Sequence, residues 1–167
     1  MLLILPNLNH KKSILITIAF LILLTGCTAI EGALRDRAAA ACPVTEPEWL
    51  LPPEDSAVGN APAHGYYYAN ADRSILAAAW WWDAEDHPLR TSEEGIKTGW
   101  FRPAGADLTI TGERLDGDAP PLGSSVPCCY PTRFQASGLI FPTEGCWEVN
   151  AEAGGEPLTF VVWVERE

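Results

Sequence analysis

The chain is 167 residues long, carries 11 basic against 22 acidic side chains for a net charge of −11, and is 47 % hydrophobic with seven tryptophans. An acidic surface of this kind is repelled by phosphate backbones and anionic headgroups, so no nucleic-acid partner is expected. The apolar content suits a folded core and argues against wholesale disorder.

In chain order, Lys11 and Lys12 come first, followed by an apolar run from Ser13 to Leu24. Positive charge before a short apolar core is the pattern of an export signal. The run falls short of the roughly 20 apolar residues that cross a bilayer, so a permanent transmembrane helix is the weaker reading. It ends in Leu24-Thr25-Gly26-Cys27, which resembles the lipobox of bacterial lipoproteins. The resemblance implies a signal peptide over residues 1–26, cleavage before Cys27, and two or three acyl chains, palmitate among them, on that cysteine. Each buried CH₂ of such chains contributes about 0.8 kcal/mol, and more than one chain is needed for a lasting hold. The mature protein is therefore expected to be extracytoplasmic, lipid-anchored to a bacterial cell membrane without spanning it. Losing Lys11 and Lys12 with the leader would take the net charge from −11 to −13, nine basic against 22 acidic groups.

Residues 27–62 read as the lipidated N-terminus and a tether. Pro43, Pro47, Pro52, Pro53 and Pro62 alternate with Glu46, Glu48, Glu54 and Asp55. Proline removes backbone donors and like charges repel, which favours extended chain. A short helix is expected within Ile30 to Ala41, where four alanines run together from Ala38 to Ala41.

From residue 63 to 167 short β-prone runs are separated by turn residues, the rhythm of an all-β sandwich. The expected strands are Gly65 to Ala69, Ser74 to Trp82, Ile96 to Phe101, Leu108 to Leu115, Arg133 to Phe141, Gly145 to Ala153 and Leu158 to Glu165. Alternation is clearest in the last, where Leu158, Phe160, Val162 and Val164 share a face opposite Thr159, Val161 and Trp163. Gly154-Gly155 signals a hairpin turn before it. About seven strands in this length match a single immunoglobulin-like β-sandwich in size.

Gly99-Trp100-Phe101-Arg102, Leu108 to Asp116 and Phe134 to Val149 carry a family likeness. With these segments the chain resembles uncharacterised bacterial secreted proteins and lipoproteins that have an Ig-like β-sandwich. The sharpest piece is Phe141 to Val149: a proline turn, a glycine, then Trp147 in a strand, like the corner that enters the penultimate strand of many Ig-like modules. The resemblance implies architecture and location, with no activity attached. Physically, proline ends the strand, glycine permits the reversal, and the indole fills the gap between sheets.

With Cys27 acylated, four thiols remain: Cys42, Cys128, Cys129 and Cys146. An exported compartment favours disulfides, and four cysteines allow three pairings. Cys42 with Cys146 is the favoured pair and Cys146 with Cys128 or Cys129 the second. In the first case Cys128 and Cys129 remain as a vicinal pair, strained or free. A free pair binds soft metals or exchanges disulfides, although no CxxC spacing occurs and Pro127 and Pro131 flank it as in a loop staple.

Asp83, Glu85, Asp86 and His87 form an acidic cluster, and Asp83, Asp86 and His87 are its weak metal candidates, since hard cations need several oxygens from one loop. A solvated turn explains the same letters, here and at Asp116-Gly117-Asp118. The tryptophan surplus bears more directly on function. Strand alternation would send Trp80 and Trp82 one way and Trp81 the other. Trp81, with Trp163 and Trp100, is the candidate ligand-binding platform, because exposed aromatic patches tend to be functional; Tyr66, Tyr67 and Tyr68 raise the same question. No GxSxG, HExxH or phosphate-cradling loop is present, so no enzyme and no cofactor is expected. The expected role is a binding or structural module of the cell envelope, with an envelope protein or glycan as partner. The alternative is a metal or thiol-redox handling protein.

Overall fold

A computed structural model describes residues 32–53, 63–83, 88–128 and 130–167. Residues 32–41 form a helix, the one expected around the alanine run, as suits the residue of highest helix propensity. A separate compact unit runs from Ala41 to Glu167 and is all-β.

Its strands, among the described residues, are β1 (Glu48–Leu50), β2 (Gly65–Ala69), β3 (Leu76–Ala78), β4 (Ile96–Phe101), β5 (Leu108–Arg114), β6 (Gly123–Ser125), β7 (Phe134–Ile140), β8 (Gly145–Ala153) and β9 (Glu156–Val164). They form a six-stranded sheet, β1-β2-β3-β4-β7-β6, and a three-stranded sheet, β5-β8-β9. All neighbours are antiparallel. The expected all-β sandwich is therefore present, with each of the seven expected strands and two short ones besides.

The three-stranded sheet follows its sequence pattern. Ile110, Trp147, Val149, Ala151, Phe160, Val162 and Val164 are buried on one face, and Thr109, Thr111, Glu152 and Thr159 are exposed on the other. The β8–β9 hairpin closes through Gly154 and Gly155, at φ 65° and 85°, the left-handed pair that a two-residue turn requires. From the facing sheet come Tyr68, Ala77, Trp100 and Leu139. Tyr68 stacks on Phe160 across the core, with centroids 4.1 Å apart and planes 5° from parallel. Trp147 is fully buried; its indole N–H donates to the Thr143 carbonyl at 3.0 Å and its ring takes Phe141 edge-on. The corner before β8 thus places its tryptophan in the core as the sequence suggests.

The six-stranded sheet departs from simple alternation because both of its faces are apolar. Tyr67, Leu76, Ala78 and Phe101 form a second cluster on the outer face, joined by Leu50, Ala69 and Phe134. Trp100 points the other way and is fully buried, its indole N–H held by Ser137 Oγ at 2.8 Å.

Part of the expected tether is folded. Cys42 and Cys146 form a disulfide with Cα atoms 5.6 Å apart, the pairing favoured from sequence. Thr45 N donates to the Val161 carbonyl and Val161 N donates to Thr45 Oγ1, both at 2.9 Å. β1 then pairs with β2, Trp49 opposite Tyr66. The segment around Thr45 and the 89–91 segment, which exchanges backbone bonds with Glu165, together cover the free edge of β9. An uncovered edge strand would be a template for self-association. This is why residues 42–50 belong with the sandwich and not with an extended spacer.

Candidate recognition site

The segment after β3 was expected to continue as a strand through Trp82, and it does not. Ala79 N still bonds the Tyr66 carbonyl, but Trp82 N turns back to the Ala79 carbonyl at 3.0 Å. Trp80, Trp81 and Trp82 therefore lie on a turn, and each is placed by what it can reach. Trp80 lies against Gly99 of β4, where an added Cβ would meet its ring at 3.1 Å; the glycine makes room for the indole. Trp81 turns inward, packing on the core with its ring 6.4 Å from that of Tyr68. Trp80 is 53 % exposed and Trp82 37 %.

Two clefts flank this turn. The larger, about 370 Å³, is lined by Trp80, Trp81, Arg90, Thr91, Lys97 and Glu167 among others. The smaller, about 180 Å³, is lined by Tyr68, Trp81, Trp82, Leu89 and Trp163 among others. Trp81, Pro88 and Leu89 line both. The larger volume lies within the range of small-ligand sites, and apolar walls with a few polar groups are their usual make-up. Arg90 pairs with Glu165 at 3.7 Å, and Thr91 Oγ1 accepts from Glu167 N at 3.1 Å, which fixes part of the polar rim. The Tyr68 hydroxyl is buried, with the Trp81 side chain near it but outside hydrogen-bonding geometry. Burial pushes its pKa up to about 12, with Trp81 opposing.

Of the sequence-derived candidates, Trp81 and Trp163 come together in the smaller cleft. Trp100 is excluded from it: it is core, and no ligand reaches it. Sequence reasoning passed over Trp49, which is 58 % exposed on β1, stacks on His64 at 6.1 Å and meets Tyr66 edge-on at 5.0 Å. Its position two residues after Pro47, outside the expected strands, hid it. Tyr67 and Tyr68 are buried and Tyr66 is half-buried, so the tyrosine run is mainly structural.

The cysteine and acidic candidates resolve unevenly. Cys128 is disulfide-bonded, so it is not a free thiol. Cys27, Cys129, Glu85, Asp86 and His87 lie outside the described residues, whereas Asp83 is described and exposed. Among the described residues no group of three His, Cys, Asp or Glu side chains is arranged to hold a metal. Asp116 is committed elsewhere: Oδ1 accepts from Arg114 Nε at 2.7 Å and from Cys146 N at 3.1 Å. Burial raises its pKa, the Arg114 and Cys146 hydrogen bonds outweigh that, and the carboxyl sits below its ordinary value.

What the fold and the clefts define is a disulfide-stapled all-β sandwich with an aromatic turn on its surface. Searches of family models, curated proteins and solved structures find no match to this chain.

Proposed function

We propose that the protein is a membrane-anchored extracytoplasmic lipoprotein whose β-sandwich is a non-catalytic recognition module of the cell envelope. The observation that carries the binding role is the turn of Trp80 to Trp82, which leaves two indoles partly exposed and a third as the shared wall of two clefts. Indole faces suit the C–H faces of sugar rings, and Arg90, Thr91 and Lys97 offer hydrogen bonds to hydroxyls beside them. The ligand class we favour is therefore an envelope glycan. The address rests on the basic, then apolar leader that ends in Leu24-Thr25-Gly26-Cys27, and the Cys42–Cys146 disulfide is in keeping with an oxidising compartment. The metal or thiol-redox alternative would draw on Cys128, Cys129, Asp83, Asp86 and His87; of these, only Cys128 and Asp83 are described, and Cys128 is already oxidised.

Two measurements test the proposal. Mass spectrometry of the protein extracted from membranes should find acyl chains on Cys27 and no residues before it, and Cys27→Ser should release it to the soluble fraction. Co-sedimentation with purified cell-wall glycan should fall by about tenfold or more in Trp80→Ala and Trp82→Ala, a loss on the order of 1.4 kcal/mol, while their melting curves stay close to wild type. Unchanged glycan binding in both variants would overturn the aromatic site.

A further inference from the structure

The most exposed aromatic side chain among the described residues, Trp49 on β1, lines neither of the clefts at the turn. It is nonetheless held in place. The His64 ring lies nearly parallel to it, with planes 13° apart and centroids at 6.1 Å, and Tyr66 meets it edge-on at 5.0 Å. Two rings therefore fix the indole in one orientation while more than half of the residue's surface stays open to solvent. An aromatic side chain that is already oriented loses little conformational freedom when it binds.

The sheet register sets where this indole stands relative to the turn. Trp49 is opposite Tyr66 on β2, and Ala79 N donates to the Tyr66 carbonyl from the other side. Residues directly opposite in antiparallel strands share a face, as do alternate residues within one strand. Trp49, Tyr66 and Tyr68 thus project from the same face, the one on which the Trp81 ring comes within 6.4 Å of the Tyr68 ring. Neighbouring strands lie about 4.8 Å apart, so about 10 Å, two steps across the sheet, separates the backbone of Trp49 from that of Ala79, where the turn begins. Tyr66, half-buried, fills the interval.

We propose that Trp49 is a second sugar-binding point on the face that carries Trp81, so that the sandwich holds an unbranched glycan several sugar units long, a role that rests on the turn being a glycan site. A linear glycan presents C–H faces at a regular interval, with hydroxyls along its edges. Separate rings with hydrogen-bonding groups between them complement that pattern: the Trp49 indole, then Tyr66 and His64, then the clefts at Trp81. A protein partner would instead call for one continuous apolar patch at the centre of the contact. Two modest contacts along one chain add through effective concentration, so neither has to be strong alone.

The test is isothermal titration calorimetry of the full-length protein in detergent with strands released from purified cell-wall glycan and separated into disaccharide and octasaccharide fractions. Wild type should bind the octasaccharide about tenfold or more tighter than the disaccharide, a difference of about 1.4 kcal/mol. Trp49→Ala should lose about tenfold for the octasaccharide and stay within about twofold of wild type for the disaccharide. Trp49→Leu keeps apolar bulk over Tyr66 but has no ring face, so it should show the same loss even where the alanine variant folds poorly. Trp80→Ala and Trp82→Ala should weaken both fractions. Unchanged octasaccharide binding in Trp49→Leu, the result expected of a residue that faces a protein partner, would overturn the second point and leave the turn standing. Equal loss of both fractions in that variant, or no length dependence in wild type, would overturn it too. If wild type binds neither fraction, or Trp80→Ala and Trp82→Ala bind both as wild type does, the turn itself is refuted as a glycan site and the second point falls with it.

Discussion

The β8–β9 hairpin and the turn from Trp80 to Trp82 are both rich in large apolar side chains, and they use them in opposite ways. In the hairpin, nine residue pairs in unbroken register from Gly145–Val164 to Ala153–Glu156 put every second side chain into the core. In the turn, the chain leaves the sheet after Ala79, and three identical side chains in a row meet three different environments. The difference shows what a ladder does: backbone pairing imposes a period on side chains, and where pairing stops the neighbours decide. The hairpin is thereby the stabilising part of the sandwich and the turn its accessible part.

Four variants would break or sharpen that division. Trp147→Ala, which empties the largest site on the hairpin's buried face, should cost about 3–5 kcal/mol in denaturant unfolding. A cost below about 1 kcal/mol would show that the hairpin is not the stabilising part. Replacing both Cys42 and Cys146 with alanine removes a link across 104 residues and should cost about 2–5 kcal/mol in denaturant unfolding; chemical reduction of the wild type, which also opens the Cys128 disulfide, should cost at least as much.

Asp116→Asn should cost about 1–2 kcal/mol at neutral pH, since its bonds to Arg114 Nε and Cys146 N are charge-assisted. The sign follows from its depressed folded pKa. The carboxylate stabilises the fold at pH values above the unfolded pKa of about 3.9 and loses that contribution as pH falls through the lower folded value. Stability measured from pH 6 down to pH 2 should therefore fall less steeply in Asp116→Asn than in wild type.

Tyr68→Phe should have the smallest effect at neutral pH, within about 1 kcal/mol and with either sign, because the hydroxyl it removes is unpartnered. Its signature is alkaline. The folded pKa is raised to about 12, so the stability it reflects is complete below the unfolded value of about 10 and is lost as pH rises through the folded one. The variant should show a smaller loss across that window, and an identical loss would mean that the phenol is not desolvated in the fold.

Much of this was legible in the residues. The bounds of β2, β4 and β8 coincide with the expected strands, and β5, β7 and β9 differ by one or two residues at an end, because alternation and glycine turns are local signals. β1 and β6, three residues each, were not legible: they sit among prolines and exist only because Tyr66 and Leu139 offer them partners. Trp100 was misplaced for a related reason. Ile96, Thr98 and Trp100 alternate with Lys97, Gly99 and Phe101, and Phe101 is also buried, so period two gave no way to choose the core face. The buried hydrogen bond from Arg102 Nη2 to Gln135 Oε1 left no sequence signal at all, since it spans 33 positions.

By itself the sequence determined the β class and the positions of the long strands, because hydrophobic period and turn chemistry act over a few neighbouring residues; it favoured Cys42 with Cys146 and left a second pairing open. The tertiary structure decided which tryptophans meet solvent, that residues 42–50 join the sandwich, and that the Arg102 guanidinium is buried. Each of those depends on surfaces supplied by distant parts of the chain, and burial is a property of the packed whole.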